Sequence, residues 1–158
     1  MLARSMILLS WNVAGRVTRA REQAELVSGA GADLVCIQEL TPKTGAVWTE
    51  ALSEAGYSIA TAELPRTRES SRPLGVLTAA RSTPSVRPVA DVPWNERVLS
   101  TIVDGLNVVN VHSPISPKPG LAKVLTHEAV FRHVAQGSGP RLVCGDLNTP
   151  RREHPDGS

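Results

Sequence analysis

The sequence predicts a mixed α/β domain with helices packed outside a sheet, and three observations carry that expectation. Four short apolar runs of strand character recur along the chain, each ending in polar residues capable of chemistry. Stretches with helical spacing of apolar residues, closed by glycine, lie among them. The passage from the first run to the second through such a stretch makes a strand, helix, strand unit, which implies a parallel pair.

The first run is MILLSWN (6–12). The stretch RVTRAREQAELVSGAG (16–31) places Val17, Ala20, Ala24 and Val27 near helical spacing, with Gly29 and Gly31 as stop signals. The second run, ADLVCIQE (32–39), follows at once. TPKTGAVWTEALSEAGY (41–57) then reads as a second helix, with Val47, Ala51 and Leu52 inward and Gly56 ending it. SIATAEL (58–64) reads as a strand, and PRTRESSR (65–72) as a polar loop.

LGVLTAA (74–80), SVRPVAD (85–91) and RVLSTIVDGLNVVNVHS (97–113) are short strand-like runs. The last of them contains Asp104-Gly105, the signature of a tight hairpin, and ends in the third polar-tipped run, LNVVNVH (106–112). PISPKPG (114–120) is a Pro-rich loop, and LAKVLTHEAVFRHVAQGSG (121–139) is a third helix closed by Gly137. The fourth run is RLVCGDLN (141–148). Near-continuous apolar runs of this length suit strands covered on both faces. No internal repeat or low-complexity tract interrupts the pattern.

Composition bounds the function. With 158 residues the chain fits a single domain able to bury roughly 70% of its unfolded surface. Hydrophobic residues make up 41% and charged residues 20%, which excludes a disordered or membrane-embedded chain. Aromatics are only 3%, too few for a stacking platform for single-stranded nucleic acid. A net charge of +2 gives a mild bias toward anionic partners. Cys36 and Cys144 sit inside apolar runs without metal-ligand spacing, and read as inert core thiols in a reducing compartment. The apolar part of MLARSMILLSW is too short for a signal peptide or a membrane span, so a cytoplasmic protein is expected.

In open α/β sheets, functional groups gather beyond the carboxyl ends of strands. Asn12, Glu39, His112 and the pair Asp146 and Asn148 all hold that position. Each alone has a bland reading: a turn Asn, a solvated Glu, a surface turn His, a side-chain-capped turn. Their joint occurrence at four equivalent strand ends points to one site. Asp146 and Asn148, two apart, would face the same side of an extended stretch.

LLSWNVAG, ADLVCIQEL, NVHSPISP and GDLNTP, in this order and over nearly the whole length, resemble the signatures of the endonuclease/exonuclease/phosphatase superfamily, which includes deoxyribonuclease I-like and exonuclease III-like enzymes. PLGVLTAAR and NERVLSTIV add support, the second resembling that superfamily's Arg-bearing strand. The resemblance implies a four-layer α/β/β/α sandwich with mixed sheets and a phosphoesterase dependent on a divalent cation, usually Mg²⁺, with Mn²⁺ as a substitute. It makes Glu39 the main metal-binding carboxylate and Asn12 the amide beside metal and phosphate. Asp146 would orient or deprotonate the attacking water, Asn148 would fix it or bind phosphate, His112 would assist proton transfer to the leaving oxygen, and Arg97 would contact a phosphate. Those residue types suit the chemistry, because Mg²⁺ prefers a few oxygen ligands and keeps several waters, and its charge offsets that of an anionic ester.

Other polar residues carry less. His127 and His133 are six apart, not at the spacing of a helical metal pair, and read as a solvated face. Arg66, Arg68 and Arg72 in the polar loop could grip a nucleic-acid backbone or serve solubility. Trp11, Trp48 and Trp94 read as packing residues. The superfamily's pattern continues past Gly-Asp-x-Asn and closes on an Asp-His motif. His154 and Asp156 stand too close behind Asn148, and in the wrong order, to replace it. The expectation is therefore one domain over residues 1–158, incomplete at its C-terminus. Three functions follow: a metal-dependent phosphodiesterase acting on nucleic acid, a phosphatase of sugar, inositol or lipid phosphoesters, and a remnant that binds a partner without catalysis.

Overall fold

The computed structural model describes residues 5–63, 73–114 and 121–149. The polar loop with Arg66, Arg68 and Arg72, most of the Pro-rich loop, and His154 with Asp156 lie outside the described residues. Among the described residues, eight strands and three helices follow in the order β1 (Leu8–Asn12), α1 (Ala20–Gly29), β2 (Leu34–Leu40), α2 (Pro42–Glu54), β3 (Ser58–Thr61), β4 (Gly75–Ala80), β5 (Ser85–Arg87), β6 (Val98–Val103), β7 (Leu106–His112), α3 (Leu121–Gln136) and β8 (Arg141–Asp146). A short 3₁₀ turn, Asn95–Arg97, leads into β6.

The strands form two four-stranded mixed sheets, ordered β1-β2-β4-β3 and β5-β6-β7-β8. The expected parallel pairing of β1 with β2 is present, and β7 pairs with β8 in the same parallel way across α3. Helices α1 and α2 pack on the first sheet, α3 packs on the second, and the inner faces meet, giving the four-layer sandwich.

Alternation along each strand sorts side chains between layers. On β2, Val35 and Ile37 join Ala24, Val27, Trp48 and Leu52 beneath the helices, while Leu34 and Cys36 join Val103 and Val108 between the sheets. On β7, Val109 and Val111 meet Ala129 and Val130 of α3, while Val108 faces the other sheet. Each fully buried aliphatic side chain contributes roughly 1.5–3 kcal/mol. The edge-to-face pair of Trp11 and Trp48, with ring centroids 6.5 Å apart, adds about 0.5–1.5 kcal/mol. Cys36 and Cys144 are free thiols in the layer between the sheets, as the apolar context predicted.

Local chemistry sets the element ends. Thr41 caps α2 by accepting from the Thr44 amide, the Thr44 hydroxyl accepts in return from the Thr41 amide, and Pro42 occupies the first turn. Asp104 and Gly105 both take positive φ, the pair a type I′ turn demands, between antiparallel β6 and β7.

Three expectations are corrected. Val17 precedes α1 and is exposed; the inward face consists of Ala20, Ala24 and Val27. Arg97 lies in the 3₁₀ turn ahead of β6, not on the strand. β8 is not covered on both faces: it is an edge strand among the described residues, with Arg141 and Val143 exposed.

Candidate active site

The carboxyl ends of β1, β2, β7 and β8 converge where the two sheets face each other. Asn12 pairs with Gln38 at the end of β1 and β2, and His112 pairs with Asp146 at the end of β7 and β8. Asn12, His112 and Asp146 share the parity of Leu8, Val108 and Leu142, so regular alternation aims all three between the sheets.

Glu39 has the opposite parity. A regular β2 would send it under the helices with Val35 and Ile37. The ladder to β4 instead shifts register between Ile37 and Leu40, leaving Gln38 and Glu39 opposite Val76 alone, and Glu39 adopts φ +63°. This β-bulge re-aims the carboxylate into the site. A non-glycine residue in that left-handed region is uncommon, and costs roughly 1–2 kcal/mol.

The Asn12 amide ties the carboxylates together, donating to Glu39 Oε1 at 2.8 Å and to Asp146 Oδ2 at 2.6 Å. Its Oδ1 accepts from the Ala14 amide at 2.8 Å, which fixes the orientation of the side chain. Glu39, His112 and Asp146 each offer a ligand atom, and these atoms lie within 4.8 Å of one another. His112 Nε2 is 3.4 Å from Glu39 Oε1, and among the described residues neither buried ring nitrogen has a hydrogen-bond partner. Burial pushes the imidazole below the usual histidine range and the Arg97 guanidinium adds to that, while Glu39 and Asp146 pull the other way.

Asn148 departs from the expected geometry. The strand ends at Asp146, and Asn148 turns into the left-handed region at φ +49°, so the two side chains do not line one extended face. The Asn148 amide nitrogen donates to Asp146 Oδ1 at 2.9 Å, and its side-chain amide donates to the Ser113 carbonyl at 2.6 Å. Arg97 is buried, with its guanidinium 4.6 Å from the centre of the Trp94 ring.

Several contributors escaped the sequence reading. His127 shares a 2.8 Å hydrogen bond with the buried Ser113 hydroxyl, and Lys123 donates to the Asn148 carbonyl at 2.6 Å. His133 shares a 2.9 Å bond with Ser100. His133 therefore bonds into the second sheet and His127 to the residue just past β7, rather than forming a solvated face. The i, i+4 spacing of Lys123 and His127 was the available signal. Gly145 matters for a steric reason: at φ +126°, a Cβ there would lie 2.0 Å from the Val111 carbonyl oxygen. The glycine of GDLN lets β8 approach β7 as the carboxylate is delivered.

The fold has close counterparts. An AP endonuclease from Archaeoglobus fulgidus superposes with a TM-score of 0.74 at 19% identity, covering 96% of this chain and 60% of the other. The 3' phosphatase NExo from Neisseria, bound to product DNA hairpin, gives 0.71 at 22%, covering 91% and 58%. TDP2 from C. elegans gives 0.62 at 19%, covering 92% and 48%. The chain thus spans about 60% or less of the length of these structures. No curated protein sequence matches it. The family model described as Endonuclease/Exonuclease/phosphatase family matches residues 9–156, and with its motifs brought together at four strand ends the chain belongs to that family.

Proposed function

We propose that the site is that of a Mg²⁺-dependent phosphoester hydrolase acting on nucleic acid, and that residues 1–158 form part of its single domain. The observation that carries this reading is the pair of carboxylates held by one amide: Glu39 and Asp146 converge on Asn12, with the His112 imidazole 3.4 Å from Glu39 beside them. Two carboxylates with oxygens within 4.8 Å of each other repel, and a divalent cation relieves that repulsion. The carboxylate oxygens fit Mg²⁺ or Mn²⁺: Glu39 would hold the ion, with the Asn12 amide beside it. Such an ion would supply positive charge against the anionic ester and make a bound water more acidic.

The remaining chemistry belongs to the chain. Asp146, fixed by Asn12 and by the Asn148 amide, is placed to take a proton from the attacking water. Asn148 is held by Ser113 and Lys123 and orients Asp146. His112, 1% exposed, stands at the floor of the site, and burial favours its neutral form. A neutral ring donates an N–H toward a developing oxyanion. Arg97 adds positive charge near His112 and, in this reading, also attracts a substrate phosphate.

The nucleic-acid substrate is favoured by the AP endonuclease and by the DNA-bound phosphatase among the structural counterparts. No helix of the described residues is long and apolar enough to cross a membrane, and we place the protein in the cytoplasm as part of the same proposal. The test begins with the metal. Mg²⁺ or Mn²⁺ titration should raise the melting temperature by mass action, and Glu39→Gln should abolish the rise. Equal shifts in the two proteins would remove Glu39 from the site. A panel of abasic DNA, 3'-phosphorylated DNA and inositol phosphates then separates nuclease from small-molecule phosphatase.

A further inference from the structure

We propose that Asn110, in the middle of β7, is the positioning residue for Glu39: its amide crosses from the second sheet to the first and holds the bulge of β2 in the backbone conformation that turns the carboxylate into the site. The proposal deepens the metal-site reading and rests on it for the role of Glu39. Its conformational half stands on geometry alone.

Ile37 with Leu77 is the last matched pair of β2 and β4 before the register shift. The Asn110 Nδ2 donates to both of those carbonyls, to Leu77 at 2.9 Å and to Ile37 at 3.3 Å. Its Oδ1 accepts from Gln38 Nε2, on the first residue of the bulge, at 2.8 Å. One amide therefore holds β2, β4 and the bulge together at the point where the ladder loses step. Asn110 is 0% exposed and Gln38 1% exposed, so water does not replace these bonds.

A bulge disrupts a ladder locally, and buried backbone carbonyls need partners from elsewhere. An apolar side chain at Asn110 would strip the side-chain donor from both carbonyls and the Asn110 acceptor from Gln38 in a dry layer. It would also release the constraint that offsets the unfavourable φ of Glu39. The alternative for β2 is a regular register, which turns the carboxylate toward Val35, Ile37 and the helices. Asn110 and His112 share one face of β7, so a single strand delivers both the imidazole and the device that aims the opposite carboxylate.

The experiment uses the whole 158-residue chain, isotopically labelled. In the unaltered protein, the Glu39 three-bond HN–Hα coupling and Cα shift should report a left-handed residue, and the Asn110 side-chain amide protons should exchange slowly. Fast exchange of those protons overturns the proposal without any variant. Asn110→Asp keeps the shape but removes both donors, and Asn110→Leu is a second, uncharged variant. Either should erase the left-handed signature of Glu39 and weaken Mn²⁺ binding, measured by calorimetry, by about 10- to 100-fold. In a Glu39→Asp background, which keeps a carboxylate and therefore measurable Mn²⁺ binding, the Asn110 variants should cause a smaller further loss of Mn²⁺ affinity than in the unaltered protein, since the effect passes through residue 39. Thr101→Val, a near-isosteric change at another fully buried polar side chain, should alter neither readout. A left-handed Glu39 that survives in either variant, or Mn²⁺ losses that simply add, would refute the positioning role. If the unaltered protein binds no Mn²⁺ while the Glu39 signature still depends on Asn110, the ligand reading fails and the positioning stands.

Discussion

β2 and β8 each end in a carboxylate that reaches the same site, and they deliver it by opposite means. β8 stays in register with β7 through Asp146, and strain is avoided because the residue before the carboxylate is Gly145. β2 falls out of register, and Glu39 itself takes the left-handed conformation. β2 is central and buried, with a cross-sheet amide to hold its irregularity. β8 is an edge strand among the described residues, with Val143 39% exposed, and α3 reaches only the turn beyond it, through the Lys123 bond to the Asn148 carbonyl. An irregular delivery is affordable where dense packing surrounds it, whereas an edge depends on regular pairing and a glycine.

The largest expected effect tests the β8 side of this contrast. Asp146→Asn should reduce turnover by about 10²- to 10⁴-fold while substrate binding changes little, the range for a positioned general base. Steady-state kinetics on the preferred substrate of the panel checks this, and unchanged turnover would remove Asp146 from water activation. Gly145→Ala follows. A methyl group forced against the Val111 backbone should cost about 3 kcal/mol or more in denaturant unfolding and loosen β8 from β7. A loss below about 1 kcal/mol would mean that β8 is free to shift.

The β2 side gives smaller effects. Thr41→Ala removes the cap that anchors the chain two residues past Glu39, and should lower stability by about 1 kcal/mol without altering turnover per folded molecule. Glu39→Gly has the opposite sign. It relieves the left-handed backbone and the repulsion from Asp146, so the metal-free protein should gain up to about 1 kcal/mol while its metal response disappears. A clear loss of stability would show that the bulge is unstrained and would weaken the contrast between the strands.

The resemblance carried by four ordered motifs was legible in the chain because each motif is local: an apolar run supplies the strand and its last residues supply the chemistry. Parity could also be read locally, so the convergence of Asn12, His112 and Asp146 needed only regular strands. Asn110 was visible as an amide inside LNVVNVH, two residues before His112, but nothing along the chain says that its partners are the Ile37 and Leu77 carbonyls. The turn at Asn148 was hidden for a related reason, since its hydrogen bond to Ser113 spans 35 residues.

What the sequence by itself determined is the alternation of elements, the parallel first unit, the hairpin at Asp104-Gly105 and the identity of the carboxylates, amides and imidazole at the strand ends. These depend on side-chain period and on turn chemistry within a few residues. Tertiary structure alone decided how Glu39 is aimed. Its conformation is unfavourable in the isolated chain, and long-range partners accompany it in the fold: the Asn12 amide on its carboxylate, and the Asn110 amide from the opposite sheet on the neighbouring strand in a layer that water does not enter.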